Sequence, residues 1–269
     1  MSISPMLERS SAASASSIRA AKHNDVLVVS GASSVPALSA AVVDQLAPCF
    51  ARIDSIEHSI TSGARPPGHA TMIGVLACAG TPFTQWQDGA WRGVHGWHDL
   101  TPRRYPAPVG WRLLANCDVP DLELFPSRYA GVRTTVFRAG VAQHSHMLAI
   151  VLAAWAVRLK LIRSLAAHVP RLHRVALARA RNGSRYSAMQ VTVRGHDHES
   201  RPIARTWALV AGSDHGPRIP TFPAIALARK LMRRAISLRG AAPCIGLLTV
   251  DEILHEGREL DIRTATKCR

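Results

Sequence analysis

The stretch DVLVVSGASSVPAL, residues 25–38, constrains the fold more than any other segment. Four apolar β-formers run into a glycine, and serines and a proline follow. The chain then continues in small and β-branched residues over SVPALSAAVVDQLAPCF. DVLVVSG reads as a short buried strand. Ser33 or Ser34 is placed to cap the helix after it. Pro36 falls in that helix's first turn, where a missing N–H costs little. Strand, glycine turn and helix start are the parts from which nucleotide-binding units are built. Yet GxGxxG, the spacing that lets backbone amides close on a pyrophosphate, occurs nowhere in the 269 residues. Gly31 reads either as a tight strand-to-helix turn or as the lining of a cleft.

Further along, ARIDSIEHSIT alternates as a half-buried strand does, and SGARPPG is a turn. HATMIGVLACAG has helical character. The Asp88-Gly89 step between Trp86 and Trp91 predicts a hairpin. Residues 101–131, rich in Pro, Arg and aromatics, are expected to form an irregular crossing with one short helix. GVRTTVFRAG predicts a strand. Residues 144–180 predict helix, interrupted at Pro170. YSAMQVTVRGHDHESRPIARTWALVAG is a hairpin with a charged tip. TFPAIALARKLMRRAI is a helix with a basic face, and PCIGLLT a last buried strand. Thr249 with Glu252 forms a capping box.

This order predicts an α+β fold, a mixed or antiparallel sheet with helices, plus a partial Rossmann-like α/β element at the N-terminus. The expected boundaries are a disordered extension over 1–24, a remnant of a dinucleotide-binding domain over 25–50 and a second domain over 51–243. A C-terminal strand and helix, 244–269, would pack back on the remnant.

Thirty-three Lys and Arg against 18 Asp and Glu give a formal charge of +15. Such a surface attracts anions. The basic residues are scattered, and neither zinc-finger spacing nor an aromatic RNA-binding pattern is present, so no specific nucleic-acid partner is expected. The five cysteines contain no CxxC pair. They read as reduced, mostly buried thiols, and no metal site is expected. The first 25 residues lack an apolar core for a secretory signal, which points to a cytoplasmic protein. In MLAIVLAAWAVRLKLI the apolar run Met147–Val157 is too short to cross a bilayer. With Arg158, Lys160 and Arg163 behind it, residues 147–167 suit either peripheral membrane contact or burial against a sheet or partner.

The segments SGASSVPALSAAVVDQLA, RPPGHATMIGVLACAGTPFTQWQDGAW, PDLELFPSRYAGVRT and HGPRIPTFPAIALARKL with PCIGLLTVDEIL span nearly all of residues 25–255. In that order they resemble saccharopine dehydrogenase-like oxidoreductases. The resemblance implies a Rossmann domain that binds NAD or NADP, joined to a second α+β domain. That second domain shapes the substrate cleft and often forms a homodimer through its sheet. Substrates would be small amino- or imino-type molecules. The missing GxGxxG and the short run before Asp25 are the departure. Most of the dinucleotide-binding half is expected to be lacking, and cofactor binding by this chain to be poor. By resemblance, Ser30, Gly31, Ala32 and Pro36 border the nicotinamide end. Pro36 is followed here by Ala37, where many relatives have Pro-Gly.

Hydride transfer relies on the cofactor, with a side chain moving the accompanying proton. His69 and His215 are the catalytic candidates. His69 follows a PPG turn, where it serves as proton donor or simply opens a helix. GSDHGP, residues 212–217, joins a strand to a helix, as an anion-binding turn or a plain loop. Asp214, Gly216 and Arg218 are its candidate substrate-binding residues, Arg218 through its fork of donors. No GxSxG, P-loop or HExxH is present. Trp86, Trp91, Trp97 and Trp111 are expected to anchor a core. The alternative reading is a non-enzymatic domain that meets a partner or a membrane surface.

Overall fold

The computed structural model describes residues 19–179 and 183–268. In chain order its elements begin with β1 (Leu27–Ser30), α1 (Ser39–Leu46), β2 (Arg52–Ser62), α2 (His69–Ala77), β3 (Pro82–Gln87) and β4 (Ala90–His95). Next come β5 (Thr101–Arg104), β6 (Trp111–Asn116), α3 (Asp121–Arg128), β7 (Thr134–Val141), α4 (His144–Arg158) and α5 (Val169–Arg179). The last are β8 (Ser187–His196), β9 (Pro202–Ala211), α6 (Phe222–Met232), β10 (Gly240–Pro243), α7 (Val250–His255) and β11 (Ile262–Cys268). Helices and mixed sheets make this an α+β fold.

The chain divides into two units. The smaller runs to Gln45 and resumes over Ile219–Gly257; the larger comprises Leu46–Arg218 and Arg258–Arg269. In the larger, nine strands form one sheet in the order β11-β9-β8-β2-β7-β3-β4, with β6 also on β7 and β5 on β6. β2 and β7 pair in parallel, and the other pairings between these strands are antiparallel. The second edge of β7 is shared: β3 meets it at Thr135, and β6 over Arg138 to Gly140. Alternation sends Ile56, Val191, Val193, Leu209 and Phe137 inward, and all are buried. Leu122 and Phe125 of α3 are buried as well.

In the smaller unit β1 pairs in parallel with β10, Leu27 opposite Gly240 and Ser30 opposite Pro243. Ser34, Pro36, Ala37 and Leu38 of the turn after β1, and most of α1, are buried. Thr249 accepts from the Glu252 amide while the Glu252 carboxylate accepts from the Thr249 amide, the capping box read from the sequence.

Several expectations are corrected. Residues 1–18 of the expected disordered extension lie outside the described residues, and 19–23 are helical. β1 is not a buried strand: Val28 is 44% exposed, as is Val26 just before it at 47%, so one face is left uncovered. Residues 101–131 hold an ordered hairpin, β5–β6, besides the short helix. Pro102 is tolerated because β5 pairs with β6 alone and owes no second ladder bond. PCIGLLT is not a strand beyond Pro243; the last strand is β11, an edge strand on β9. Of the four tryptophans, Trp97 is buried and Trp86 half-buried, whereas Trp91 and Trp111 are exposed.

Tyr105, at the start of the β5–β6 turn, packs with Val109, Leu114, Ala188 and Val210. Its hydroxyl donates to Ser59 Oγ at 2.7 Å. Burial pushes the phenol up to about 12 from its ordinary 10.0. The unfolded chain loses this proton first, so stability is full below pH 10 and falls as pH rises towards 12. The loss is about 2–3 kcal/mol. Tyr105→Phe is expected to flatten that part of the melting-temperature profile relative to the parent; parallel profiles would refute it. Burial likewise raises the Cys244 thiol to about 11, in the smaller unit, with a loss of the same sign beginning near pH 9.

Candidate functional site

β9 ends at Ala211, and the chain reverses through Gly212-Ser213-Asp214-His215. The His215 amide donates to Gly212 O at 2.9 Å, while Ser213 and Asp214 have φ of 55° and 58°. Two left-handed central residues make this a turn of type I′. Gly212 and Gly216 are required for close approach. A Cβ on Gly212 would lie 2.1 Å from Asp261 Oδ2, and one on Gly216 2.1 Å from Ser187 Oγ.

Asp261, just before β11, ties the turn down. Its carbonyl accepts from the Gly212 amide at 2.8 Å, and its carboxylate from Ser213 Oγ at 3.2 Å. Its own amide donates to His215 Nδ1 at 3.0 Å. With Nδ1 accepting, the neutral ring of His215 carries its proton on Nε2, the atom left to donate. Asp214 is already engaged, accepting from Arg185 Nε at 3.0 Å.

Gly212 and Asp261 also line a cavity of about 230 Å³ with Pro106, Pro108, Tyr186 and Val210. It is a mainly apolar recess that Asp261 and Arg263 also line, the carboxylate and the guanidinium 3.8 Å apart. Such a recess suits a small molecule with an apolar body and one or two polar groups.

Of the sequence candidates, the structure brings Asp214, His215 and Gly216 together in one turn. Arg218 follows, exposed, its amide on His215 O. His69 takes another neighbour: it opens α2, is exposed, and its ring lies 4.0 Å from that of His173. Asp261, Arg185 and Tyr186 were missed. Asp261 is 46 residues from His215, and nothing local to either residue signals the pairing. Among the described residues no group of three His, Cys, Asp or Glu could hold a metal ion.

In the smaller unit, Ser30 O accepts from the Cys244 amide at 2.8 Å, and Gly31 O from Ser33 at 2.8 Å. Gly31 has φ +70°, and a Cβ there would lie 2.6 Å from Pro36 Cδ. The proline ring thus fills the side that a phosphate-loop glycine leaves open, and Pro36 has no N–H to donate. Gly31 is thereby a tight strand-to-helix turn packed by Pro36.

No protein-family model and no curated protein matches the sequence. Among solved structures 23 chains match. One is apo histidine-tagged saccharopine dehydrogenase (L-Glu forming) from Saccharomyces cerevisiae, with a TM-score of 0.57 and 11% identity, covering 87% of this chain and 72% of that one. At this identity the likeness shows a shared fold. Among the described residues no helix is long and apolar enough to cross a membrane.

Proposed function

We propose that this chain belongs with the saccharopine dehydrogenase-like oxidoreductases and supplies the substrate side of a reaction on a small amino- or imino-type molecule, with NAD or NADP as hydride carrier. The observation that carries this reading is the shared fold over 87% of the chain. The turn at 212–216 beside the cavity supports it. In this reading the recess takes the apolar body of the substrate. Arg263 or Arg218 meets its carboxylate, and His215 Nε2 donates to the nitrogen or carbonyl that changes protonation. The dinucleotide is held poorly by this chain in that reading, because no GxGxxG turn is present to close on its pyrophosphate.

Titration of the labelled protein with a panel of α-amino and α-imino acids tests this. The amides of Gly212, His215 and Asp261 are expected to shift with at least one member. His215→Ala should weaken that ligand by about tenfold, the value of one lost hydrogen bond to a charged group. Shifts confined to other regions, or none with any member, would overturn the assignment.

A further inference from the structure

From Leu148 to Trp155 the outward side of α4 is apolar. Leu148, Leu152, Trp155 and Leu159 follow one another at spacings of four, three and four, a single stripe on a helix. They are 47%, 70%, 43% and 62% exposed, and Leu161, just past the helix end, is 75% exposed. The inward side is firmly seated, with Met147 and Ala154 fully buried and Val157 nearly so. A packed helix therefore presents this stripe outward. A contiguous apolar ridge of this kind marks an interaction surface.

Charge selects the occupant. Between Glu123 and Asp197 the sequence contains no Asp or Glu. In the same span Arg158, Lys160, Arg163, Arg171 and Arg174 are exposed. The Arg158 guanidinium lies over the Trp155 ring, 4.9 Å from its centre. A second copy seated here would bring more cations from the same stretch and no acidic residue from it. Nucleic acid offers phosphates but no hydrocarbon for the leucines. An anionic bilayer offers both: acyl chains for the leucines, phosphates for the cations, and a boundary where tryptophan is favoured.

We propose that α4 and the turn after it dock on an anionic phospholipid surface. The helix lies in the plane of the interface, with Leu152, Leu159 and Leu161 entering the acyl boundary. Arg158, Lys160 and Arg163 meet the headgroup phosphates. This goes beyond the substrate-side reading and does not depend on it.

Flotation of the full chain tests it, using vesicles of phosphatidylglycerol with phosphatidylcholine against phosphatidylcholine alone, at low salt. The protein should float with the anionic vesicles and far less with the neutral ones. Leu152→Glu with Leu159→Glu should lower the partition coefficient at least about tenfold. Arg158→Gln with Lys160→Gln and Arg163→Gln should lower it about tenfold or more and flatten its salt dependence. These glutamines replace exposed side chains and keep the test decisive if the leucine variant melts early. Failure of the parent chain to float, or undiminished flotation of folded variants, would overturn the proposal. So would a dimer in sedimentation that the leucine variant dissolves, since a second copy would then be the occupant.

Discussion

Asp121→Ala is expected to destabilise the larger unit by about 3–5 kcal/mol. Asp121 opens α3 and His58 lies on β2; both side chains are fully buried, and His58 Nε2 is 3.2 Å from Asp121 Oδ1. The imidazole sits between Phe125 and Phe137, with ring centres 5.3 and 4.9 Å away. Alanine leaves a polar ring against aromatic neighbours and opens a void beneath the helix start. Replacing both partners with leucine removes the polar atoms together and should recover most of the loss. Urea unfolding of the single and double variants measures this. A cost below about 1 kcal/mol for Asp121→Ala, or a double variant no better than the single, would show that the pair does not hold α3 to the sheet.

The strands legible in the sequence are those whose alternation is decided by one covered face. ARIDSIEHSIT and the two arms of β8–β9 are of this kind, and the Asp88-Gly89 turn carries its own backbone signal. β5–β6 was illegible for the opposite reason. Tyr105, Val109 and Leu114 are buried against Ala188 and Val210, more than 70 residues on, and prolines mask the local pattern. β11, IRTATKC, does not alternate: its apolar residues fall at every third position, and an edge strand with both faces largely exposed carries no apolar signature. At the candidate site the turn at 212–217 was visible through its composition. The partner that orients its histidine was not, because the bond from Asp261 to His215 is a product of β11 pairing with β9. Gly31 was legible as a special backbone position. That its missing side chain makes room for Pro36 needed the fold.

Gly80→Ala is expected to cost about 2–5 kcal/mol, combining left-handed backbone strain with overpacking against a helix. Gly80 has φ +70°, and a Cβ there would lie 2.2 Å from Ala154 O, 2.8 Å from Val157 Cβ and 3.0 Å from the Arg158 amide nitrogen. Two of these atoms are α4 backbone, so no side-chain rotation relieves the clash; the helix itself must lift. Gly89 is the natural control. Its φ is +79°, and a Cβ there would meet nothing within 4 Å, so Gly89→Ala carries only the conformational cost of about 1–2 kcal/mol. Thermal melts of the two variants separate strain from clash, and equal losses would mean that α4 is not seated on Gly80. The comparison also bears on the docking face. Lifting α4 moves the leucine stripe without altering any residue in it. Gly80→Ala should therefore weaken flotation with anionic vesicles well below its melting temperature, whereas Gly89→Ala should leave flotation at the parent level.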